Sequence, residues 1–187
     1  MFVVVEGIDG SGKDTQIDLL RKEMEFSYFK HPTQTFPTMR EYLDGKLLLE
    51  PKALFMLFLS DIANTQRSIA NSSGMTIVDR YVFSTIAYEI EGISYYGAKS
   101  IVETVGYFAP DKVILFDIPA SLATERKRAQ KSPDRYESNP GYLERVRERF
   151  IQLAEDKFMT PNWTIIDASK SVDEVHRDFV NALRSRQ

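Results

Sequence analysis

The sequence predicts an α/β domain of three layers, a parallel sheet between helices, on three observations. Short apolar, β-branched runs alternate with segments of helical period along the whole chain. The first such run, Val3, Val4 and Val5, passes straight into a glycine-rich turn and then a helix opened by Lys13. The 187 residues contain no repeat, linker or low-complexity stretch, so residues 1–187 read as one domain.

Each element has its own signal. The opening strand stops at Gly7, and the helix after it spans residues 13–24 with Ile17, Leu19 and Leu20 turned inward. Residues 26–30 form a second strand, ended by His31 and Pro32; residues 33–38 are a loop and 40–49 a short helix broken at Gly45. Pro51 suits a helix start, where its missing N–H costs nothing, and the helix from it extends to residue 71. Its first half is apolar almost all round, which fits either burial on two sides or a subunit interface, or a plain core helix. Gly74 releases a third strand, 75–78, followed by Asp79, Arg80 and Tyr81 and a helix over 82–91. After a loop at 92–97 come a helix over 98–107, a strand over 111–117 and a helix from Pro119 that turns basic at Arg126, Lys127, Arg128 and Lys131. Ser132 and Pro133 break that helix. Pro140 opens the next, which presents Leu143, Val146, Phe150, Leu153 and Ala154 on one face. A last strand, 163–167, precedes a helix over 172–183, capped by Ser171 with Glu174 three residues on.

Composition narrows the function classes. A net charge of −3 provides no global basic field for a nucleic acid polymer. The chain has no cysteine, which removes disulfides, zinc thiolates and thiol nucleophiles. No apolar run reaches membrane-spanning length and no signal peptide leads the chain, so no membrane partner and a cytoplasmic location are expected.

Chemistry concentrates at the carboxyl ends of the strands, where open α/β sheets bind ligands. The stretch Gly7, Ile8, Asp9, Gly10, Ser11, Gly12, Lys13, Asp14, Thr15 fits G-x-x-x-x-G-K between strand and helix. Glycines let successive N–H groups face phosphate oxygens, the helix N-terminus adds positive potential, and Lys13 reaches the β- and γ-phosphates. Asp14 departs from the pattern, standing where a Ser or Thr hydroxyl usually meets Mg2+. It reads either as a ligand of Mg2+ or its water, or as an outward-facing first-turn acid. Asp79 ends strand three where such folds keep an acid near Mg2+, and Arg80 beside it suits a second phosphate. His31 leaves strand two at the same edge. The cations Arg126, Arg128 and Arg135 belong to a basic flap at about 126–140 that can close over transferring phosphates, against the plainer reading of a solvated charged face.

Taken together, G-I-D-G-S-G-K-D-T-Q, D-R-Y-V-F-S-T-I-A-Y, D-I-P-A-S-L-A-T-E-R-K-R and D-R-Y-E resemble the thymidylate kinases over nearly the whole chain. The resemblance implies a Mg2+-requiring homodimer with a five-stranded parallel sheet, transferring the γ-phosphoryl group of ATP to a nucleoside monophosphate, typically dTMP. It implies catalytic roles for Lys13, Arg80, Arg128 and Arg135, and ATP contacts from residues 7–15 and Arg126. The acceptor would meet Asp9, His31, Phe58 (stacking on the base), Arg80, Thr85 and Tyr88, with Asp14 and Asp79 as metal candidates. Departures are informative. Ile62 replaces a family arginine that contacts the thymine edge, which leaves open a related kinase with broader or different base preference. Gln130 replaces a flap arginine. Either Lys30, His31 and Pro32 or Phe36 and Pro37 match the family motif after strand two; the first ends a strand cleanly. Asp14 also keeps alive a nucleotide-binding protein without turnover, although adenylate kinases lack a hydroxyl there too and likewise keep the threonine matching Thr15.

Overall fold

The computed structural model describes residues 1–128 and 140–185. In chain order these form β1 (Phe2–Glu6), α1 (Lys13–Leu20), β2 (Ser27–Lys30), α2 (Pro37–Leu43), α3 (Pro51–Ala70), β3 (Thr76–Asp79) and α4 (Val82–Tyr88). Then follow α5 (Tyr95–Val105), β4 (Lys112–Asp117), α6 (Ala120–Arg128), α7 (Pro140–Glu155), β5 (Trp163–Asp167) and α8 (Val172–Arg184).

The five strands make one sheet in the order β2-β3-β1-β4-β5, with every pair parallel. Parallel strands must be covered on both faces, and the central ones read accordingly as unbroken apolar runs. Val3, Val4 and Val5 of β1, Ile77 and Val78 of β3, and Val113 to Phe116 of β4 are fully or almost fully buried. Helix α1 packs on α8, while α4 packs on α3, α5 and α7. Because β1 pairs with β3 on one side and β4 on the other, the loops leaving it open into a crevice at the switch point of strand order. Register brings Val5 beside Asp79 and Lys30 beside Asp79, so the polar strand ends share one edge.

Several boundaries differ from the sequence reading for local reasons. Helix α1 stops at Leu20 because its continuation tightens: Lys22 N–H bonds to the Leu19 carbonyl and Glu23 N–H to that of Leu20. The helix expected over 40–49 begins at Pro37, in the first helical turn, and is over by Leu43, with Gly45 at φ +72° turning the chain away. Helix α4 ends early because the Glu89 carboxylate accepts from the backbone N–H of Glu91 and Ile93 and bends the chain there. Helix α5 begins at Tyr95, not residue 98: Ser94 caps it by accepting from Gly97 N–H, and left-handed Gly106 closes it. The expected capping box of α8, Ser171 with Glu174, is formed in both directions. The apolar start of α3 divides between a core face (Leu54, Phe55, Leu59, Ile62) and half-buried Phe58, leaving Met56 48% exposed. Residues Gln130, Lys131, Ser132, Pro133 and Arg135 of the expected flap lie outside the described residues. Among the described residues no helix is long and apolar enough to cross a membrane.

Candidate active site

The loop after β1 is pressed against its neighbours where glycine alone fits. A Cβ on Gly7 would lie 2.6 Å from the Phe116 carbonyl oxygen, and one on Gly10 only 2.4 Å from that of Ala123. Both residues have positive φ, +146° and +85°. Helix α1 is entered through Gly12 at φ +90°, with no side chain capping the first N–H groups. Those donors and the positive helix end are therefore available to an anion. Lys13 arches back over the loop, donating from Nζ to the carbonyls of Gly7 (2.7 Å) and Ile8 (3.2 Å) and to Ser11 Oγ (3.3 Å). Burial and the nearby Arg80 guanidinium push its pKa down to about 8, against the pull of Asp79, Asp9 and Glu6.

Arg80 joins this loop to the next element. It sits just past β3 at φ +68°, a conformation rare for a side-chain-bearing residue, held by its N–H on the Val5 carbonyl (3.1 Å) and by His31 Nδ1 at its own carbonyl oxygen (2.9 Å). The guanidinium donates to Asp9 Oδ1 (2.6 Å) and Ser84 Oγ (3.0 Å) and lies over the Tyr88 ring. Tyr88 donates its hydroxyl to the other Asp9 oxygen (2.8 Å). Burial alone would raise the Asp9 pKa, but Arg80 and Lys13 hold it well below the usual carboxylate range. Beneath them, buried Glu6 accepts from Ser84 Oγ (2.6 Å) and from the N–H groups of Tyr81 and Ser84. Burial outweighs those bonds and raises its pKa to about 7.

A second charged group stands beside the loop. Lys30 Nζ binds Asp14 Oδ1 and lies 3.1 Å from Asp79 Oδ2, which also accepts from Tyr28 (3.0 Å). Asp79 is fully buried, yet its Oδ1 has no hydrogen-bond partner among the described residues. Asp14 is 74% exposed. Burial raises its pKa, but the Lys30 ammonium and Lys13 bring it below the ordinary value.

Next to Arg80 opens a cavity of about 230 Å3. Asp9, Lys30, His31, Arg80, Ser84, Tyr88 and Glu89 supply polar groups; Pro32, Leu43, Leu54, Phe55, Phe58, Ile62 and Tyr81 form the apolar wall, with Thr85 between. His31 is fixed at its far nitrogen by Thr65 Oγ1 (2.9 Å), and burial lowers its pKa. Asp61 of α3 accepts from the N–H of Thr33 (2.8 Å) and from its hydroxyl, which ties the loop after His31–Pro32 to the cavity floor. Such an apolar cleft with convergent polar groups suits a planar ring with a charged end.

The structure thus brings Asp9, His31, Phe58, Arg80, Thr85 and Tyr88 to one cavity, and Gly7, Ile8, Gly10, Ser11, Gly12, Lys13 and Asp14 to the loop beside it. Of the two readings after strand two, Lys30, His31 and Pro32 line the cavity, while Phe36 and Pro37 begin α2. Thr15 is exposed on α1. Arg126 extends to the β5–α8 turn, donating to the Ala168 carbonyl (2.9 Å) and, at 3.5 Å, that of Ser169. Arg128 ends α6, but its side chain, like Arg135, lies outside the described residues. Asp117, at the same sheet edge, is clamped by Arg147 of α7 at 2.6 and 2.9 Å and has a structural part. Sequence reasoning missed Glu6, Ser84 and Lys30 as participants. A charged residue ending each of two parallel strands was the available signal, together with Ser84 four residues after Arg80.

The chain is similar to known proteins over nearly its whole length. The thymidylate kinase family profile matches residues 5–179. A probable thymidylate kinase of Methanocaldococcus jannaschii is 32% identical over 191 residues, covering 99% of this chain and 96% of that protein. The thymidylate kinase of Thermosipho africanus is 33% identical over 197 residues, 96% and 95% of the two chains. The solved structure of a Candida albicans thymidylate kinase has the same fold, with a TM-score of 0.79 at 23% identity over 97% of this chain and 89% of that one.

Proposed function

This chain belongs to the thymidylate kinase family, and from that premise we propose how its own residues phosphorylate dTMP to dTDP with ATP as donor. The observation that carries the reading is the Arg80–Asp9 pair, which stands between a phosphate loop on one side and the cavity on the other. The polyphosphate of ATP takes the loop, its oxygens meeting the N–H groups at the start of α1. Lys13 leaves the Gly7 and Ile8 carbonyls for the β- and γ-phosphates. The nucleotide acceptor enters the cavity, its base against Phe58 and its sugar near Asp9, Thr85 and Tyr88.

Arg80 fixes the acceptor 5′-phosphate, since a guanidinium offers two parallel donors to one phosphate. The acceptor oxygen is already anionic near neutral pH, so no side chain needs to remove a proton. Positioning and charge neutralisation do the work. Lys13 and Arg80 supply positive charge from opposite ends, and Arg128 or Arg135, whose side chains lie outside the described residues, would add a further cation.

The donor set beside the loop fits Mg2+: Asp79 carries a buried carboxylate oxygen without a partner among the described residues, and Asp14 adds a second hard oxygen ligand. When bound there, Mg2+ neutralises charge on the β- and γ-phosphate oxygens. The exposed Met56 of α3 suits a homodimer contact along that helix. The reading also makes this a cytoplasmic enzyme of nucleotide synthesis.

An acceptor panel with Mg2+ and ATP tests it through ADP release. Turnover is expected with dTMP and none with thymidine, which lacks the acceptor phosphate. Comparable turnover of dCMP or dUMP would move the reading to a kinase of wider base preference. ATP binding without turnover on any acceptor would overturn it.

A further inference from the structure

We propose that Lys30 is a resident counter-ion of the metal-binding carboxylates, which a divalent cation must displace before it can occupy them. The inference rests on the reading of Asp14 and Asp79 as the Mg2+ ligands and adds a competitor for them.

Its basis is where one ammonium sits. Lys30 ends β2 in direct register with Asp79 at the end of β3, and parallel neighbours in register project to the same face. Its Nζ reaches Asp79 Oδ2 at 3.1 Å and binds Asp14 Oδ1 of the first turn of α1. A single monovalent cation therefore bridges the two carboxylates that would hold a divalent one. It does so incompletely. Tyr28 and Lys30 both go to Asp79 Oδ2, and the fully buried Oδ1 keeps no partner among the described residues. An unsatisfied buried carboxylate oxygen is costly, and a divalent ion with oxygen coordination satisfies it.

Lys30 is also built to leave. Its side chain is 46% exposed, on a flexible four-carbon stem, and it lines the acceptor cavity. The ammonium displaced from the carboxylates thus has an anionic acceptor within its reach. With Lys30 in place the two carboxylates carry a net single negative charge, and without it a double one, so the resident cation lowers affinity for a free divalent ion. Metal then enters chiefly with its nucleotide, whose phosphates add ligands.

The test is Mn2+ binding to the nucleotide-free protein, followed by electron paramagnetic resonance, in the wild type, Lys30→Met, Asp14→Asn and the double variant. Lys30→Met should bind Mn2+ about tenfold more tightly or better. Asp14→Asn, at an exposed position, should bind it more weakly, and the double variant should lose the gain. Equal affinity in wild type and Lys30→Met overturns the competition while leaving the metal ligands standing. Unchanged affinity in Asp14→Asn, or no binding in any protein, removes the ligand assignment and the proposal with it. Should Lys30→Met fail to fold, NMR of 13C-lysine-labelled wild type decides. Mg2+ must move the Lys30 Cε resonance, and a resonance that stays in place sinks the idea.

Discussion

Arg80 Nη2 lies 2.6 Å from Asp9 Oδ1, although the two residues are 71 positions apart and leave different strands. This contact closes the gap between phosphate loop and acceptor cavity. It depends on a backbone conformation at Arg80, φ +68°, that costs about 1–3 kcal/mol and is held by Val5 and His31. On the proposed reading, removing the guanidinium takes away the acceptor's phosphate contact and leaves the loop. Arg80→Ala should lower turnover by about 10³ or more, with ATP affinity changed only a few-fold. Arg80→Lys should recover part of it, since an ammonium cannot bind a phosphate bidentately. Steady-state kinetics beside ATP titration separates the two effects; wild-type turnover in Arg80→Ala would remove Arg80 from the acceptor site.

The loop glycines make a paired prediction. Gly10 and Gly12 have nearly the same φ, but a Cβ at Gly10 collides with the Ala123 carbonyl whereas one at Gly12 meets nothing within 4 Å. Gly12→Ala should cost only the left-handed penalty, about 1–2 kcal/mol, with a modest drop in Tm. Gly10→Ala must also push the loop off α6, and should lose more stability and most ATP affinity. Thermal melts with and without ATP compare them, and equal effects would show that the contact with Ala123 is soft.

The parts of this molecule that local chemistry determines were legible in the chain. Alternating apolar runs located all five strands, and Ser171 with Glu174 located a helix start to the residue. Helix ends were less legible because they depend on bonds between neighbours on the chain that composition does not reveal, such as the Glu89 carboxylate turning the backbone after α4. Residues in the phosphate loop were visible through spacing. Lys30 was not, because its meaning arises from parallel register with Asp79 and from Asp14 on a different element. Glu6 was hidden for the same reason: its partners, Tyr81 and Ser84, lie more than seventy residues downstream.

Glu6 gives a pH prediction with a definite sign. Its folded pKa, about 7, lies above the ordinary 4.5, so the folded chain binds the extra proton between those values. This group's contribution is therefore full below about 4.5 and is lost as pH rises through 7. His31 acts in the opposite direction near 6.5, because its folded pKa is lowered. The clean measurement is the difference between wild type and Glu6→Gln in urea unfolding from pH 4.5 to 8. Relative to wild type, the variant should gain stability steadily as pH rises. A difference that stays flat across the range would show that Glu6 does not titrate there.

Ile62 supplies the last prediction, on base choice. It is 2% exposed and lines the cavity beside Phe55 and Phe58, and the resemblance read from the sequence sets it against a family arginine directed at the thymine edge. As isoleucine it offers the base no donor, so discrimination by hydrogen bonding from this position is absent. Ile62→Arg would place a guanidinium against an apolar wall, which is unfavourable in the empty protein and lowers Tm. In the complex it gains a partner. Thymine presents O4, an acceptor, whereas cytosine presents an amino group, a donor that the guanidinium cannot satisfy. The ratio of kcat/KM for dTMP over dCMP should therefore rise about tenfold or more, and dTMP should restore part of the lost Tm. If the ratio stays unchanged while the variant remains folded, position 62 does not face the base edge in this chain, and selectivity resides with Thr85 and the other cavity residues.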